Sequence, residues 1–402
     1  MPVDPAAAAG PLTVRLKPAQ ERRVLAGHAW VFSNEIASVE GEGEPGALAR
    51  VLAADGTLVG AAFYNPRSLI ACRMLALGEM VEPDAAFFHS RLSKALAFRQ
   101  RLKPGGTAYR LCFGESDGLP GLVVDRYDSV LVAQVLSAGI ERRLEALSAA
   151  LQELLKPEAI FLKNDHRARA LEGLPAETRV LFGRMPERVE IEEGGLRFVV
   201  PLAAGQKTGF YFDQAENRLF LRPYFEGRIV LDLYCYTGAF ALNAAKSGAK
   251  AVLGIDSSAQ AVELARENAA LNGAAGLSFE EDDAEAALRS FSQGSQPFQP
   301  DMILLDPPSL VPSKKHLAKA LRAYGKLNAQ ALRALPKGGL LASSTCSHHV
   351  SREIFVELLR LSAAKAQVPA RLLALRGQAG DHPVLLAMPE TEYLHFALLE
   401  RL

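Results

Sequence analysis

The sequence predicts an α/β protein in which a Rossmann-like, doubly wound domain is preceded by a β-rich module and a small α+β domain. Beyond Gly194, short apolar runs alternate with helical segments, the pattern of a mostly parallel sheet covered on both faces. Acids close successive apolar runs in that region, where parallel sheets place their ligands. From Leu12 to about Gly78, by contrast, the runs are short and β-like and are separated by turn signals.

A chain of 402 residues suits two or three domains, and the changes of texture place them at 1–80, 81–190 and 191–402. In the first, residues 47–51, 58–64 and 70–75 read as strands, with Asp55-Gly56 and Asn65-Pro66 as turns. Residues 83–102 have helical periodicity and carry Arg91, Lys94, Arg99, Arg101 and Lys103 with no acid after Asp84, so one basic face is expected. Strands at 122–124, 130–135 and 159–163 and a helix at 141–155 complete the α+β part. In the last domain, strands at 229–233, 251–255, 302–305 and 340–343 alternate with helices at 239–246, 259–271 and 317–334, and 290–300 is a polar loop.

Lys plus Arg and Asp plus Glu balance at 45 each, so only a local asymmetry can mark a polyanionic partner. The cysteines, Cys72, Cys112, Cys235 and Cys346, lie far apart, with no CxxC pair and no histidine at zinc spacing. That pattern disfavours disulfides and a metal, and it suits a reducing cytoplasm. Residues 1–10 hold an acid and two prolines instead of a signal-peptide pattern, and no run approaches membrane-spanning length.

Leu231-Asp232-Leu233-Tyr234-Cys235-Tyr236-Thr237-Gly238 is an apolar strand that runs into a glycine turn and at once into a helix. Gly238 allows close backbone approach, and Asp232 can fix the ammonium of an amino-acid moiety. Asp256, about twenty residues on, can accept both hydroxyls of a ribose, and Asp283 can accept from an adenine amino group. Tyr234 and Ser257, on the turns beside these acids, join the same candidate set. The absence of GxGxxG disfavours NAD. Singly, each acid could equally cap the helix that follows it. Their order, ahead of Asp306-Pro307-Pro308-Ser309, favours a nucleoside cofactor.

The prolines hold Asp306 at a fixed edge, placed to contact a flat heterocycle. Residues 340–347 then end an apolar run in Cys346 among small hydroxyl residues, a setting that suits a nucleophile at a strand end and that the other cysteines lack. His348 and His349 follow so closely that exposed or capping roles are expected of them.

Taken together these residues resemble the large-subunit ribosomal RNA cytosine-5 methyltransferase I family, in which a PUA module and a small α+β domain precede a class I methyltransferase domain. Gly27-His28-Ala29-Trp30-Val31-Phe32 and Tyr64-Asn65-Pro66-Arg67-Ser68 look like its PUA signature. The runs 114–122 and 207–214, with Asp381-His382-Pro383 and Glu392-Tyr393-Leu394, fit it further along, so the resemblance covers nearly the whole chain. It implies S-adenosyl-L-methionine as cofactor, Cys346 as nucleophile, Asp306 as the acid against the base and beside the cofactor, and Lys207, Thr208, Phe212, Asp232, Asp256 and Asp283 near the cofactor. Lys207, Thr208 and Phe212 rest on the resemblance alone. Relatives outside this family that make 5-methylcytosine often carry a second cysteine where this chain has Pro308, so the group that removes the carbon-5 proton stays unassigned.

Between Pro307 and Arg352 there is no acid, yet Lys314, Lys315, Lys319, Arg322, Lys326, Arg333, Lys337 and Arg352 are basic. A basic run alone reads as a solvated helix face; around the motifs that carry the chemistry, such a stretch is expected to offer cations to the phosphates of RNA. The resemblance adds Arg22, Arg23, His28 and Arg67 on the PUA-like module. The partner expected is therefore RNA, in particular ribosomal RNA, with no membrane; a homodimer stays open. Two other functions compete: methylation of an amino group on adenine or cytosine, disfavoured because Ser309 stands where an aromatic would stack, and a non-catalytic RNA-binding or assembly factor, disfavoured by the intact acids and Cys346.

Overall fold

The computed structural model describes residues 12–294, 297–311 and 314–402; the reading of residues 1–10 and the middle of the 290–300 loop lie outside them. The chain forms two compact units. One takes the residues up to Val189 with Val200–Phe210 and Asp381–Thr391, the other Glu190–Val199, Tyr211–Gly380 and Glu392–Leu402.

In the first unit, β1 (Thr13–Leu16), β2 (Trp30–Phe32), β3 (Ile36–Glu40), β4 (Ala47–Leu52), β5 (Leu58–Tyr64) and β6 (Ile70–Leu77) make a six-stranded sheet in the order β2-β6-β5-β4-β1-β3. A five-stranded sheet holds β7 (Ala108–Phe113), β8 (Leu122–Tyr127), β9 (Val130–Val135), β10 (Ala159–Asn164) and β11 (Glu177–Gly183), in the order β11-β10-β9-β8-β7. β11 was not expected: it is an edge strand whose side chains are mostly exposed, and its one apolar run, Val180-Leu181-Phe182, is short and flanked by polar residues and glycine.

The helix Ala85–Leu102 begins where Asp84 accepts the Phe87 N–H at 2.8 Å, and it buries Phe88, Leu92, Ala95 and Leu96 as one stripe. The expected basic face does not form. Arg99 falls on the buried stripe at 0% exposure, where its guanidinium grips the Asp117 carboxylate and donates to the Arg110 carbonyl at 3.0 Å. Arg91 donates to the Leu75 carbonyl and Lys103 pairs with Asp381, which leaves Lys94 and Arg101 exposed. A cation at a helical core position needs such a partner. The helix expected at 141–155 runs Leu144–Leu155, and a separate short piece, Ala138–Glu141, precedes it.

The second unit includes the strand pair β12 (Val189–Glu193) and β13 (Leu196–Val200), then β14 (Ile229–Leu233), β15 (Ala251–Asp256), β16 (Leu277–Glu281), β17 (Met302–Leu305), β18 (Leu340–Thr345), β19 (Ala370–Arg376) and β20 (His395–Arg401). The last seven form one sheet in the order β16-β15-β14-β17-β18-β20-β19, parallel from β16 to β18 and antiparallel where β20 enters between β18 and β19.

Alternate residues of the parallel strands feed two cores. Leu231, Leu233, Leu253, Ile255, Ile303, Leu305 and Leu341 pack with Leu288, Leu327, Leu332 and Phe355, while Val230, Val252, Met302, Leu304, Leu340 and Ala342 pack with Phe240, Ala241, Val262 and Ala265. At about 2 kcal/mol for each large side chain removed from water, these layers hold the sheet rigid. The carboxyl ends of β14, β15, β16, β17 and β18 thereby share one edge, and Asp232, Asp256, Asp283 and Asp306 stand at or within two residues of it.

Candidate active site

At the end of β14 the backbone takes positive φ three times, at Tyr234 (64°), Tyr236 (48°) and Gly238 (80°). Such a turn is strained for the tyrosines and free for glycine. A Cβ on Gly238 would also lie 2.8 Å from the Phe279 ring, so the position tolerates no side chain. The helix Ala239–Lys246 starts directly behind it.

Asp232 is 1% exposed and accepts the Ala241 N–H at 3.0 Å. Burial pushes its carboxyl well above the usual carboxylate range, and the charges of Asp306 and Asp256 push the same way. A buried acid among acids calls for a cation. Asp256, half-buried, accepts the N–H of Tyr236 on one oxygen at 2.9 Å and of Ser258 on the other at 3.0 Å, and each oxygen keeps a second lone pair. Ser257 is exposed between them.

Asp283 is exposed and caps the helix Ala284–Ser292 through the Ala286 N–H at 2.7 Å, so here the capping role is occupied. Its charge still reaches Tyr234, whose phenol is raised to about 12 by burial, then by Asp283 and Glu285. Phe212 is buried on the short helix Phe212–Gln214. Lys207 and Thr208 belong to the first unit. There Lys207 has φ 50°, and the buried Thr208 hydroxyl bonds to Asp125 and, at 3.0 Å, to the Tyr127 hydroxyl.

Asp306 follows β17 and Cys346 follows β18, the neighbouring strand. Oδ1 of Asp306 accepts from Gln214 Nε2 at 3.1 Å and from the Ser344 hydroxyl. Asp306 and Cys346 both act electrostatically on the phenols of Tyr211 and Tyr324, so the four groups form one cluster. Tyr324 donates to the Pro308 carbonyl at 3.2 Å and accepts the Leu310 N–H at 3.0 Å, which ties down the Asp-Pro-Pro turn. Both phenols are raised, first by burial.

Cys72, Cys112 and Cys235 are buried, and burial pushes their thiols up, Cys72 to about 12; Cys346 alone of the four is partly exposed. His348 and His349 are exposed, with the His348 ring 5.2 Å from that of Tyr393. Tyr211, Gln214, Ser344 and Tyr324 escaped the sequence reading. The first two lie inside the 207–214 motif, whereas Tyr324 reads as one more apolar helix position.

Among the basic candidates, Arg22, Arg67, Lys315 and Lys319 are exposed, as is Arg322, while the Lys314 side chain lies outside the described residues. Arg23 and His28 turn inward. Arg23 forms a two-pronged pair with Glu35 at 2.8 Å, and its other nitrogen approaches Nδ1 of His28, which is 4% exposed.

Residues 14–77 match the PUA-like domain family, and residues 111–364 match the family of S-adenosylmethionine-dependent methyltransferases. A ribosomal RNA large subunit methyltransferase I from Aeromonas hydrophila is 38% identical over 388 residues, 95% of this chain and 97% of that protein. The chain belongs to the large subunit methyltransferase I family. A second member, from Shewanella amazonensis, is 37% identical over 95% of this chain and 98% of its own. A solved structure described as a SAM-dependent methyltransferase from Streptococcus mutans has the same fold, with a TM-score of 0.83 at 20% identity over 97% of this chain and all of that one. Another, of a methyltransferase complexed with SAH, has a TM-score of 0.81 at 20% identity over 97% of this chain and 99% of its own.

The methyltransferase I family uses S-adenosylmethionine, and the acidic cluster fits it: Asp232, with Asp256 and Asp306 beside it, suits the ammonium and sulfonium charges.

Proposed function

We propose that this methyltransferase forms 5-methylcytosine in large-subunit ribosomal RNA through a covalent adduct of Cys346 at ring carbon 6. The observation that supports this reading most is the placement of Cys346, the partly exposed cysteine, beside Asp306 at the ends of adjacent parallel strands. The names of the relatives supply the RNA.

In this reading Asp232 holds the ammonium and Asp256 the ribose, with Asp283, Tyr234, Ser257, Gly238 and Phe212 around the nucleoside; Lys207 and Thr208 are assigned to the same ligand. The bound cofactor supplies an electrophilic methyl group. Asp306 accepts from the exocyclic amine of the base and holds the ring. The Cys346 thiolate adds to carbon 6, and the ring electron pair moves to carbon 5, which becomes nucleophilic enough to take the methyl. Loss of the carbon-5 proton then returns that pair and breaks the carbon–sulfur bond. An ordinary thiol with a pKa of about 8.5 is only a few per cent thiolate at neutrality, so the site must favour the anion when substrate binds.

Lys315, Lys319 and Arg322, with Lys314 beside them in the chain, supply phosphate contacts, and the PUA-like module offers its own exposed cations, Arg22 and Arg67. The cytoplasm is the proposed compartment; no helix among the described residues is long and apolar enough to cross a membrane.

Mass-spectrometric mapping of ribosomal RNA from cells lacking the gene tests the whole reading. One 5-methylcytosine in large-subunit RNA should disappear and return with the wild-type gene. Loss of an N-methylated base instead would favour the amino-group reading.

A further inference from the structure

We propose that Arg376, Asn217 and Gln214 form a hydrogen-bond relay of fixed polarity that positions Asp306; the proposal rests on the reading of Asp306 as the acid that holds the substrate base. Arg376 Nε donates to Asn217 Oδ1 at 3.0 Å. Asn217 Nδ2 donates to Gln214 Oε1 at 2.7 Å and to the Gly377 carbonyl at 3.1 Å. Gln214 Nε2 in turn donates to Asp306 Oδ1 at 3.1 Å. Gln214 and Asn217 are 2% and 0% exposed, so water does not compete for these bonds.

The two ends of a side-chain amide are alike in shape and opposite in hydrogen bonding, so its sense must be imposed by neighbours. A guanidinium only donates, and therefore Arg376 obliges Asn217 to turn its oxygen outward. The Gly377 carbonyl only accepts and imposes the same sense independently. With Asn217 set, Gln214 must offer its oxygen to Asn217 and its N–H to Asp306. Arg376 is itself held, its guanidinium carbon 4.8 Å from the centre of the Phe220 ring and one nitrogen 3.8 Å from Glu216.

The Ser344 hydroxyl joins Gln214 on the same carboxylate oxygen. Two donors converging on Oδ1 fix the rotation of the carboxyl group, so the direction in which Asp306 meets a base is set before substrate arrives. Without the relay the Gln214 amide is free to turn its oxygen toward Asp306, acceptor against acceptor.

Asn217→Asp is the decisive variant, because it preserves size and still accepts from Arg376 but cannot donate to Gln214. With S-adenosylmethionine and large-subunit ribosomal RNA from cells lacking the gene, kcat should fall about tenfold or more, while the cofactor Kd from calorimetry stays within about twofold. Gln214→Met should show the same split; Arg376→Met should lose less, because the Gly377 carbonyl still orients Asn217, and Arg376→Lys, also a pure donor, should stay near wild-type turnover. If Asn217→Asp does not fold by circular dichroism, Gln214→Met carries the test alone. Wild-type kcat in the folded variant, or an equal loss of cofactor affinity, overturns the relay. Asp306→Asn at wild-type turnover overturns instead the reading of Asp306 beneath it.

Discussion

The backbone N–H of Tyr236 donates to Oδ2 of Asp256 at 2.9 Å, which ties the strained turn after β14 to the acid that ends β15. Asp256 thus serves the turn as well as the ribose. Asp256→Ala should weaken S-adenosylmethionine by about 1.5–3 kcal/mol, roughly 10- to 150-fold in Kd, the range for hydrogen bonds to a charged acceptor. Asp256→Asn, which keeps an acceptor for one N–H, should lose less. Titration calorimetry measures both, and equal affinity for wild type and the Ala variant would remove Asp256 from the cofactor site.

Lys315, Lys319 and Arg322 project from the start of the acid-free stretch into solvent. Their joint replacement by serine should lower RNA affinity and reduce the slope of log K against log salt by about 2 to 3, since each lost phosphate contact releases about 0.7 to 0.9 fewer counterions. A filter-binding series in rising salt reads the slope directly. An unchanged slope with measurable binding would make the stretch a solvated helix face.

Asp381 is buried in the first unit, where it accepts from Lys103 Nζ and from His382 Nδ1, each at 2.8 Å. Burial alone would raise its carboxyl, but His382 and Lys103 more than offset it and hold the group below its ordinary value of 3.8. The stabilisation from this lowered acid is complete well above pH 3.8 and is lost as pH falls below it. Asp381→Asn should therefore cost about 2–3 kcal/mol at pH 7, a little under the usual figure for breaking a buried pair because Lys103 is partly exposed. In urea unfolding the gap to wild type should narrow as the pH is taken down through 4 toward 3. A gap independent of pH would show that packing, not charge, sets the loss.

The parallel core was legible because its strands are buried on both faces and so appear as unbroken apolar runs. Residues 229–233 and 302–305 could be bounded to the residue for that reason. Strands outside that regime were not legible: β12 alternates with glutamates, β11 is mostly exposed, and β20 pairs with β18 across 49 intervening residues. The site followed the same rule. Asp232, Asp256, Asp306 and Cys346 stand out because each closes an apolar run. Gln214 and Arg376 meet only through Asn217, about 160 residues apart in sequence, and no local pattern announces that meeting. Arg99 shows the converse failure, since its charge signals a surface until Asp117 is found beside it.

Cys346 decides between ring-carbon and amino-group transfer. If its thiolate must bond to carbon 6 before methylation, Cys346→Ala should abolish turnover while cofactor affinity stays close to wild type, because Asp232 and Asp256, the acids assigned to the ammonium and the ribose, lie on β14 and β15. Serine should not rescue: its hydroxyl is far less acidic than a thiol and supplies no anion near neutrality. RNA carrying 5-fluorocytosine at the target should trap the wild-type enzyme as a complex stable in denaturing gels, because fluorine does not leave as a proton does and the carbon–sulfur bond persists. The Ala variant should form no such complex, and neither should an enzyme that methylates an amino group, which has no need of an adduct. Cys72, Cys112 and Cys235 offer no substitute nucleophile, since burial holds their thiols protonated. Near-normal turnover by the Ala variant on a confirmed substrate would therefore rule out the covalent route and move the amino-group reading ahead of it.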